Sequence, residues 1–121
     1  MHSTPSIGEL YQRLDLTAAE ISEFCRRWQI VELSLFGSVL RDDFRPTENQ
    51  HSDVDLLYVS APDARYGFKF FDMRAELSQL LSRPVDLVSK RGIENSRNFL
   101  RRQAILESAQ VIYAEGSAVN S

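Results

Sequence analysis

The stretch that decides the fold is DVDLLYV, residues 53–59. Acids and apolar residues alternate along it, which predicts a β-strand from Asp53 to Val59. Because successive side chains of a strand point to opposite faces, Asp53 and Asp55 share one face, with Cα atoms ~6.6 Å apart. The side chains of the opposite face can pack against a layer of helices: Val54, Leu56 and Tyr58.

The two acids of this strand predict a bound cation. Two neighbouring carboxylates repel each other and cost stability unless a cation lies between them, although solvated strand edges also carry such pairs. Oxygen ligands without Cys or His suit Mg²⁺ or Mn²⁺. Asp86 is the third candidate ligand, because it lies in an otherwise apolar predicted strand, where a lone carboxylate is hard to explain structurally.

A second motif lies upstream, at Gly37-Ser38. It follows a strand predicted over Ile30–Phe36 and precedes a short helix predicted over 39–44. Such turns often have a purely structural role, but glycine also lets a phosphate approach the backbone, and helix N-termini attract anions. A phosphate cradle beside paired metal-binding carboxylates is the equipment for phosphoryl or nucleotidyl transfer.

The rest of the chain predicts helices that alternate with short strands, which indicates an α+β domain with α/β-like character. A capping box at Thr17 and Glu20 predicts the start of a helix with one apolar face. Further along, the patterns predict a helix over 66–81, a strand over 84–88, a helix over 95–108 and a strand over 110–114.

These elements predict one domain over residues 17–114. We expect an N-terminal extension over 1–16 with a short helix at Ile7–Leu14, and a flexible tail over 115–121.

Composition excludes several classes of protein. The chain has 121 residues, with 14 Lys and Arg against 17 Asp and Glu, for a net charge of −3. This charge argues against nucleic-acid binding through bulk charge. The one cysteine, Cys25, forbids an internal disulfide and fits the apolar face of its helix. Neither a signal peptide nor a membrane span is predicted, so we expect a cytoplasmic protein. The chain also lacks a P-loop, a dinucleotide-binding glycine motif and a serine-hydrolase elbow.

Three motifs together resemble the DNA polymerase β-like nucleotidyltransferase superfamily: LFGSVLR at 35–41, SDVDL at 52–56 and VDLV at 85–88. They resemble more closely the minimal nucleotidyltransferase (MNT) antitoxins that are encoded beside HEPN-domain toxins. The resemblance covers about residues 17–114 and implies a nucleotidyltransferase fold, a small mixed β-sheet packed by helices.

The resemblance also implies the roles of the site residues. Asp53 and Asp55 would hold two Mg²⁺ ions, and Mn²⁺ could replace them. Asp86 would complete one metal site and help to activate the attacking hydroxyl. Gly37 and Ser38 would grip the triphosphate of the nucleotide.

For the MNT family, the resemblance implies transfer of AMP from ATP to a tyrosine of a cognate HEPN ribonuclease toxin. This modification silences the toxin, so we expect a hetero-oligomer of the two proteins. Two alternatives stay open: an antitoxin that binds and occludes its partner without catalysis, and a nucleotidyltransferase that acts on a small molecule or an RNA end.

Several basic residues have two readings. Arg41 either faces the triphosphate or pairs with neighbouring acids on a solvated turn. The stretch 90–102 is rich in Lys and Arg, and Arg97 and Arg101 share a face of the predicted helix. It is either a solvated face or the wall of a binding groove. His51 could act as a base, but its place in a polar loop favours a bystander.

Two further features concern the partner and the mouth of the site. The polar loop between Ser38 and Asp53 is longer than in the family pattern, so its contacts with nucleotide or partner are open. Tyr66, Phe68 and Phe71 lie outside the core stripe of their predicted helix. We expect them to form an exposed apolar patch on which a partner could dock.

Overall fold

The structure is a computed structural model that describes residues 6–40 and 53–115. The helices of this part are α1 (Ile7–Leu14), α2 (Ala18–Arg27), α3 (Lys69–Leu81), α4 (Lys90–Glu94) and α5 (Phe99–Ser108). The strands are β1 (Ile30–Phe36), β2 (Val54–Ser60), β3 (Val85–Ser89) and β4 (Gln110–Ala114). A 3₁₀ turn, Gly37–Leu40, follows β1 directly.

The four strands form one mixed sheet in the order β3-β2-β1-β4. β1 runs antiparallel to both β2 and β4, whereas β2 and β3 are parallel. The end of β1 and the starts of β2 and β3 therefore meet at one edge of the sheet. This arrangement confirms the predicted mixed sheet packed by helices.

The first face of the sheet, which carries Leu33, Leu35 and Leu56, is covered by α1, α2 and α3. The helices contribute side chains with almost no exposed surface, among them Phe24 and Leu77. Cys25 also lies in this core, fully buried, as its place on the apolar face of α2 predicted. Burial raises the pKa of its thiol to about 12. Further buried side chains of this face are Leu10, Leu14, Ile21, Val54, Met73 and Leu87.

The second face is covered only in part. Phe36 and Leu57 of the sheet pack against Ile93 of α4 and Ile105 of α5, and these four residues form a separate small cluster. α4 and α5 therefore cover the strands on this side.

Two predicted helices differ from the structure. α3 begins at Lys69, three residues later than predicted. Tyr66 therefore lies before the helix, where its hydroxyl donates a hydrogen bond to the carbonyl oxygen of Trp28 at 2.6 Å. Tyr66 is therefore partly buried, and its predicted place in the exposed patch is wrong. Phe68 and Phe71 are exposed as predicted, at 91% and 56%. Their role in partner binding stays a prediction.

The helix predicted over 95–108 is wrong at its beginning. α4 ends at Glu94, and α5 begins only at Phe99, after an N-cap in which the Asn98 side chain accepts a hydrogen bond from the amide of Arg101. Arg97 lies in the connection, so it does not share a helical face with Arg101. Asn98 ends the connection because its side chain satisfies an amide that lacks a partner within the helix.

The bounds of α1 and the start of α2 lie where the sequence predicts them. α1 occupies the predicted residues, and the Thr17–Glu20 capping box at the start of α2 is formed in both directions. Of the short helix predicted over 39–44, the described part is the last two residues of the 3₁₀ turn; the remainder lies outside the described residues, as do 116–121 of the predicted tail. None of the helices in 6–40 and 53–115 is long and apolar enough to cross a membrane.

Candidate active site

The candidate acids meet at the edge where β1 ends and β2 and β3 begin. Asp55 pairs with Phe36 across the antiparallel ladder and with Asp86 across the parallel one. β2 begins at Val54, one residue later than predicted, so Asp53 lies just before the strand. The chain thus brings together two acids that are distant in sequence.

Asp55 and Asp86 lie on the second face of the sheet, and Asp53 lies just before β2. Side chains two residues apart on a strand share a face, so Asp55 lies on the same side as buried Leu57. Asp86 has the same relation to Val88, which packs against the second cluster. Asp53 and Asp86 are exposed and Asp55 is partly buried, so this part of the face is open to solvent.

The carboxyl group of Asp55 lies in surroundings that disfavour its negative charge. Its pKa is raised above the usual range, first by burial and then by the carboxylates of Asp86 and Asp53, whereas the Arg101 cation lowers it. These contributions indicate that Asp86, Asp53 and Arg101 lie close enough to act on the Asp55 carboxyl group. A cation between the three acids would relieve their repulsion.

Gly37 lies directly against Asp55. Its φ is +81°, in the left-handed region that favours glycine. A Cβ atom at this position would overlap Oδ2 of Asp55 and would lie 3.2 Å from its Cγ. The glycine therefore allows both the turn and the close approach of the backbone to the carboxylate.

A hydrogen bond from α1 holds the 3₁₀ turn Gly37–Leu40 in place. Arg13 donates a hydrogen bond from Nη1 to the carbonyl oxygen of Val39 at 2.6 Å, and Val39 itself is buried. Ser38 is the second residue of this turn. Sequence reasoning missed Arg13, because a contact across 26 residues leaves no local pattern.

The side chains that the structure describes do not form a closed metal cage. Within residues 6–40 and 53–115, no group of three His, Cys, Asp or Glu side chains is arranged to hold a metal ion. What the fold provides is two carboxylates in direct cross-strand register, those of Asp55 and Asp86, with Asp53 just before the start of β2. This donor set fits a hard divalent cation.

The basic residues of the stretch 90–102 have different surroundings in the structure. Lys90 pairs with Glu32, with Nζ 2.9 Å from Oε2. Arg102 lies over the ring of Phe99, with Cζ 5.1 Å from its centroid, and donates to the carbonyl oxygens of Glu94 and Ser96. These two cations have structural partners.

Of the remaining basic residues, Arg101 is the one whose charge lowers the pKa of Asp55. The sequence did not predict that Arg101 alone in this stretch would have this effect. Arg41 and His51 lie outside the described residues.

Comparison with known proteins identifies the family of the chain. Residues 20–112 match the family model described as "Nucleotidyltransferase domain". The chain is 32% identical over 89 residues to "Putative protein adenylyltransferase MJ0128" of Methanocaldococcus jannaschii, covering 65% of this chain and 84% of that protein. A solved "putative minimal nucleotidyltransferase" is 28% identical, with a TM-score of 0.58, over 90% of this chain and 98% of the other.

A further solved structure shares the fold. It is a tri-AMPylated HEPN toxin of Shewanella oneidensis in complex with an MNT antitoxin. The match has a TM-score of 0.54 at 20% identity and covers 84% of this chain and 72% of that one. Because the family match spans three quarters of the sequence and includes β1, β2 and β3, the chain belongs to the nucleotidyltransferase domain family.

Proposed function

We propose that this nucleotidyltransferase is a Mg²⁺-dependent protein adenylyltransferase, which transfers AMP from ATP to a tyrosine of a HEPN-domain ribonuclease toxin and so acts as its antitoxin. The observation that carries the proposal is the cross-strand pairing of Asp55 with Asp86 beside Gly37. The similarity to a protein named as an adenylyltransferase supports the transfer of AMP, and the complex of an AMPylated HEPN toxin supports the class of acceptor.

In this proposal Asp53 and Asp55 hold two Mg²⁺ ions, and Asp86 completes one of the two sites. Bound Mg²⁺ would stabilise the negative charge of the phosphates and lower the pKa of the attacking hydroxyl. The raised pKa of Asp55 is consistent with this role, because carboxylates that repel one another gain most from a shared cation.

The residues of the chain would then place the nucleotide. The glycine backbone at Gly37 lets a phosphate approach the carboxylates closely, and Ser38 and Arg41 contribute donors to the triphosphate. Asp86 accepts the proton of the tyrosine hydroxyl while the tyrosine oxygen forms a bond to the α-phosphorus. The bond from the α-phosphorus to the bridging oxygen breaks, and pyrophosphate leaves with that electron pair.

A protein acceptor fits the shape of the site. Asp53 and Asp86 are both exposed, so a loop that carries a tyrosine can reach them. We expect a hetero-oligomer with the toxin in the cytoplasm, where ATP is available.

The experiment is intact-mass analysis of the HEPN protein encoded beside this chain, after incubation with the chain, ATP and Mg²⁺. We expect a gain of one or more AMP units with the wild type and none with Asp53→Asn, which should still bind the partner. Asp63→Asn, on an exposed turn beyond the far end of β2, is the matched control and should transfer AMP normally.

An assay of toxin activity and a reaction with labelled ATP distinguish the two alternatives. If Asp53→Asn neutralises the toxin as well as the wild type does, the chain is an antitoxin that acts by occlusion. If labelled AMP appears on RNA or on a small molecule without the toxin, the acceptor is not the HEPN protein.

A further inference from the structure

Arg101 lies on the helix that covers the second face of the sheet, one turn from a buried contact. Ile105 of α5 belongs to the cluster with Phe36 and Leu57. Because helical residues four apart share a face, Arg101 lies on the side of Ile105, one turn nearer the start of α5. On the sheet, Asp55 lies two residues before Leu57 and pairs with Phe36. α5 also leads directly into β4, whose Gln110 pairs with Leu35 near the end of β1, so α5 packs at the end of the sheet that carries the carboxylates.

Among the described residues, Arg101 is the cation whose charge acts on the Asp55 carboxyl group.

Arg101 also differs from the other cations of α4 and α5. Lys90 is paired with Glu32, and Arg102 stacks on Phe99 and donates to two carbonyl oxygens. In the described part of the chain, the Arg101 side chain makes no hydrogen bond and no ion pair, and it is exposed. Its five N–H donors are therefore available to a ligand.

The chemistry of the site favours a further cation beside the metal ions. A polyphosphate that approaches three carboxylates meets strong repulsion, and the pyrophosphate that leaves gains negative charge during the transfer. An arginine fork donates two parallel hydrogen bonds to a phosphate, which a lysine cannot reproduce.

We propose that Arg101 binds the two phosphates of ATP that leave as pyrophosphate. This inference rests on the proposed function, since it assumes that the nucleotide lies over the carboxylates. It assigns to α5 a part in substrate binding, in addition to its packing on the sheet.

The test is the dissociation constant of ATP and of AMP in Mg²⁺, measured by calorimetry without any acceptor protein. Loss of a charge-assisted hydrogen bond pair predicts that Arg101→Ala weakens ATP binding about 10- to 100-fold. AMP lacks the leaving phosphates, so its binding should change less than about 3-fold. Arg101→Lys should fall between wild type and Arg101→Ala for ATP. Arg97→Ala removes the same charge from the connection before α5 and should leave both constants within about 2-fold.

The outcomes separate this inference from the proposed function. If wild type does not bind ATP, the proposed function fails, and the inference fails with it. If wild type binds ATP and Arg101→Ala binds it equally well, only the inference is overturned. Equal weakening of ATP and AMP also overturns it, because a general effect of charge or folding would not distinguish the two ligands. If Arg101→Ala does not fold, Arg101→Lys decides by the same ratio of ATP to AMP affinity.

Discussion

The two faces of the sheet are built differently, although the same strands form both. The first face is closed by three helices over a large apolar core, whereas the second carries a cluster of four buried residues beside the carboxylates. A site that must bind polyphosphate needs solvent access and charged groups, which a closed core excludes. The difference shows how a small domain obtains stability from one face and leaves part of the other for chemistry.

Leu56 and Leu57 provide the most direct comparison of the faces. They are neighbours on β2, both 1% exposed, and belong to the first and the second core respectively. We expect Leu56→Ala to lower the free energy of unfolding by about 4 kcal/mol and Leu57→Ala by about 2–3 kcal/mol, because a small cluster collapses more easily around a cavity. Denaturant titration of both variants measures the difference.

For AMP transfer we expect the reverse order, with a larger loss for Leu57→Ala than for Leu56→Ala. Leu57 lies two residues from Asp55 on the same face, so its truncation should impair AMP transfer beyond any loss of folded protein. If Leu57→Ala costs as much stability as Leu56→Ala and transfers AMP normally, the two faces are equivalent and the comparison fails.

Gly37 and Gly67 sharpen the comparison at the level of the backbone. Both have positive φ, +81° and +52°, but a Cβ at Gly37 overlaps the Asp55 carboxylate, whereas at Gly67 it meets nothing within 4 Å. Alanine at either position should cost about 1–2 kcal/mol of stability through backbone strain. Only Gly37→Ala displaces a carboxylate of the site, and a shift of that kind predicts a loss of AMP transfer of about 100-fold.

Thermal melts and transfer rates of the two alanine variants separate these effects. Equal transfer rates for both variants would show that the position of Asp55 does not limit the reaction.

Much of the closed face could be predicted from the sequence, because its signals are local. The capping box at Thr17 and the apolar spacing of α2 correctly indicate a helix with Cys25 in the core. The alternation in residues 53–59 likewise gives the strand within one residue.

The open face depends on contacts between distant parts of the chain, so its details could not be read in the same way. Leu57 shares a face with Asp55, and its burial requires α4, which was not predicted, and α5, which was predicted to begin at Asn95. The Asp55–Asp86 pairing needs the parallel register of β2 and β3. The residue types alone already suggested that these acids and Gly37 form one site, whereas the contact between Gly37 and Asp55 appears only in the folded sheet.

The raised pKa of Asp55 predicts a pH-dependent cost on the open face. Because the folded chain holds this proton more tightly than the unfolded chain, ionisation of Asp55 favours unfolding. Stability is therefore lost as the pH rises through the folded pKa, and the loss persists at neutral pH. In EDTA, Asp55→Asn should melt above wild type at pH 7, and the difference should shrink towards pH 4.

Asp63→Asn is the control for removal of a negative charge far from the carboxylates. Addition of Mg²⁺ at pH 7 should raise the melting temperature of wild type and not that of Asp55→Asn. A gap between wild type and Asp55→Asn that stays constant from pH 4 to pH 7 would show that repulsion at the site does not oppose folding.

Cys25 reports on the closed face and gives the smallest expected signal. Its pKa of about 12 and its full burial predict no measurable alkylation of the native protein at pH 8 over an hour. Reaction requires that the core opens, so its rate follows the free energy of opening. Leu56→Ala should therefore accelerate alkylation on the order of 10³-fold, the factor that about 4 kcal/mol represents. Leu57→Ala should accelerate it less, in proportion to its smaller loss of stability. Rapid alkylation of the wild type would mean that the first face opens locally, and the division of the sheet into a closed and an open face would then be wrong.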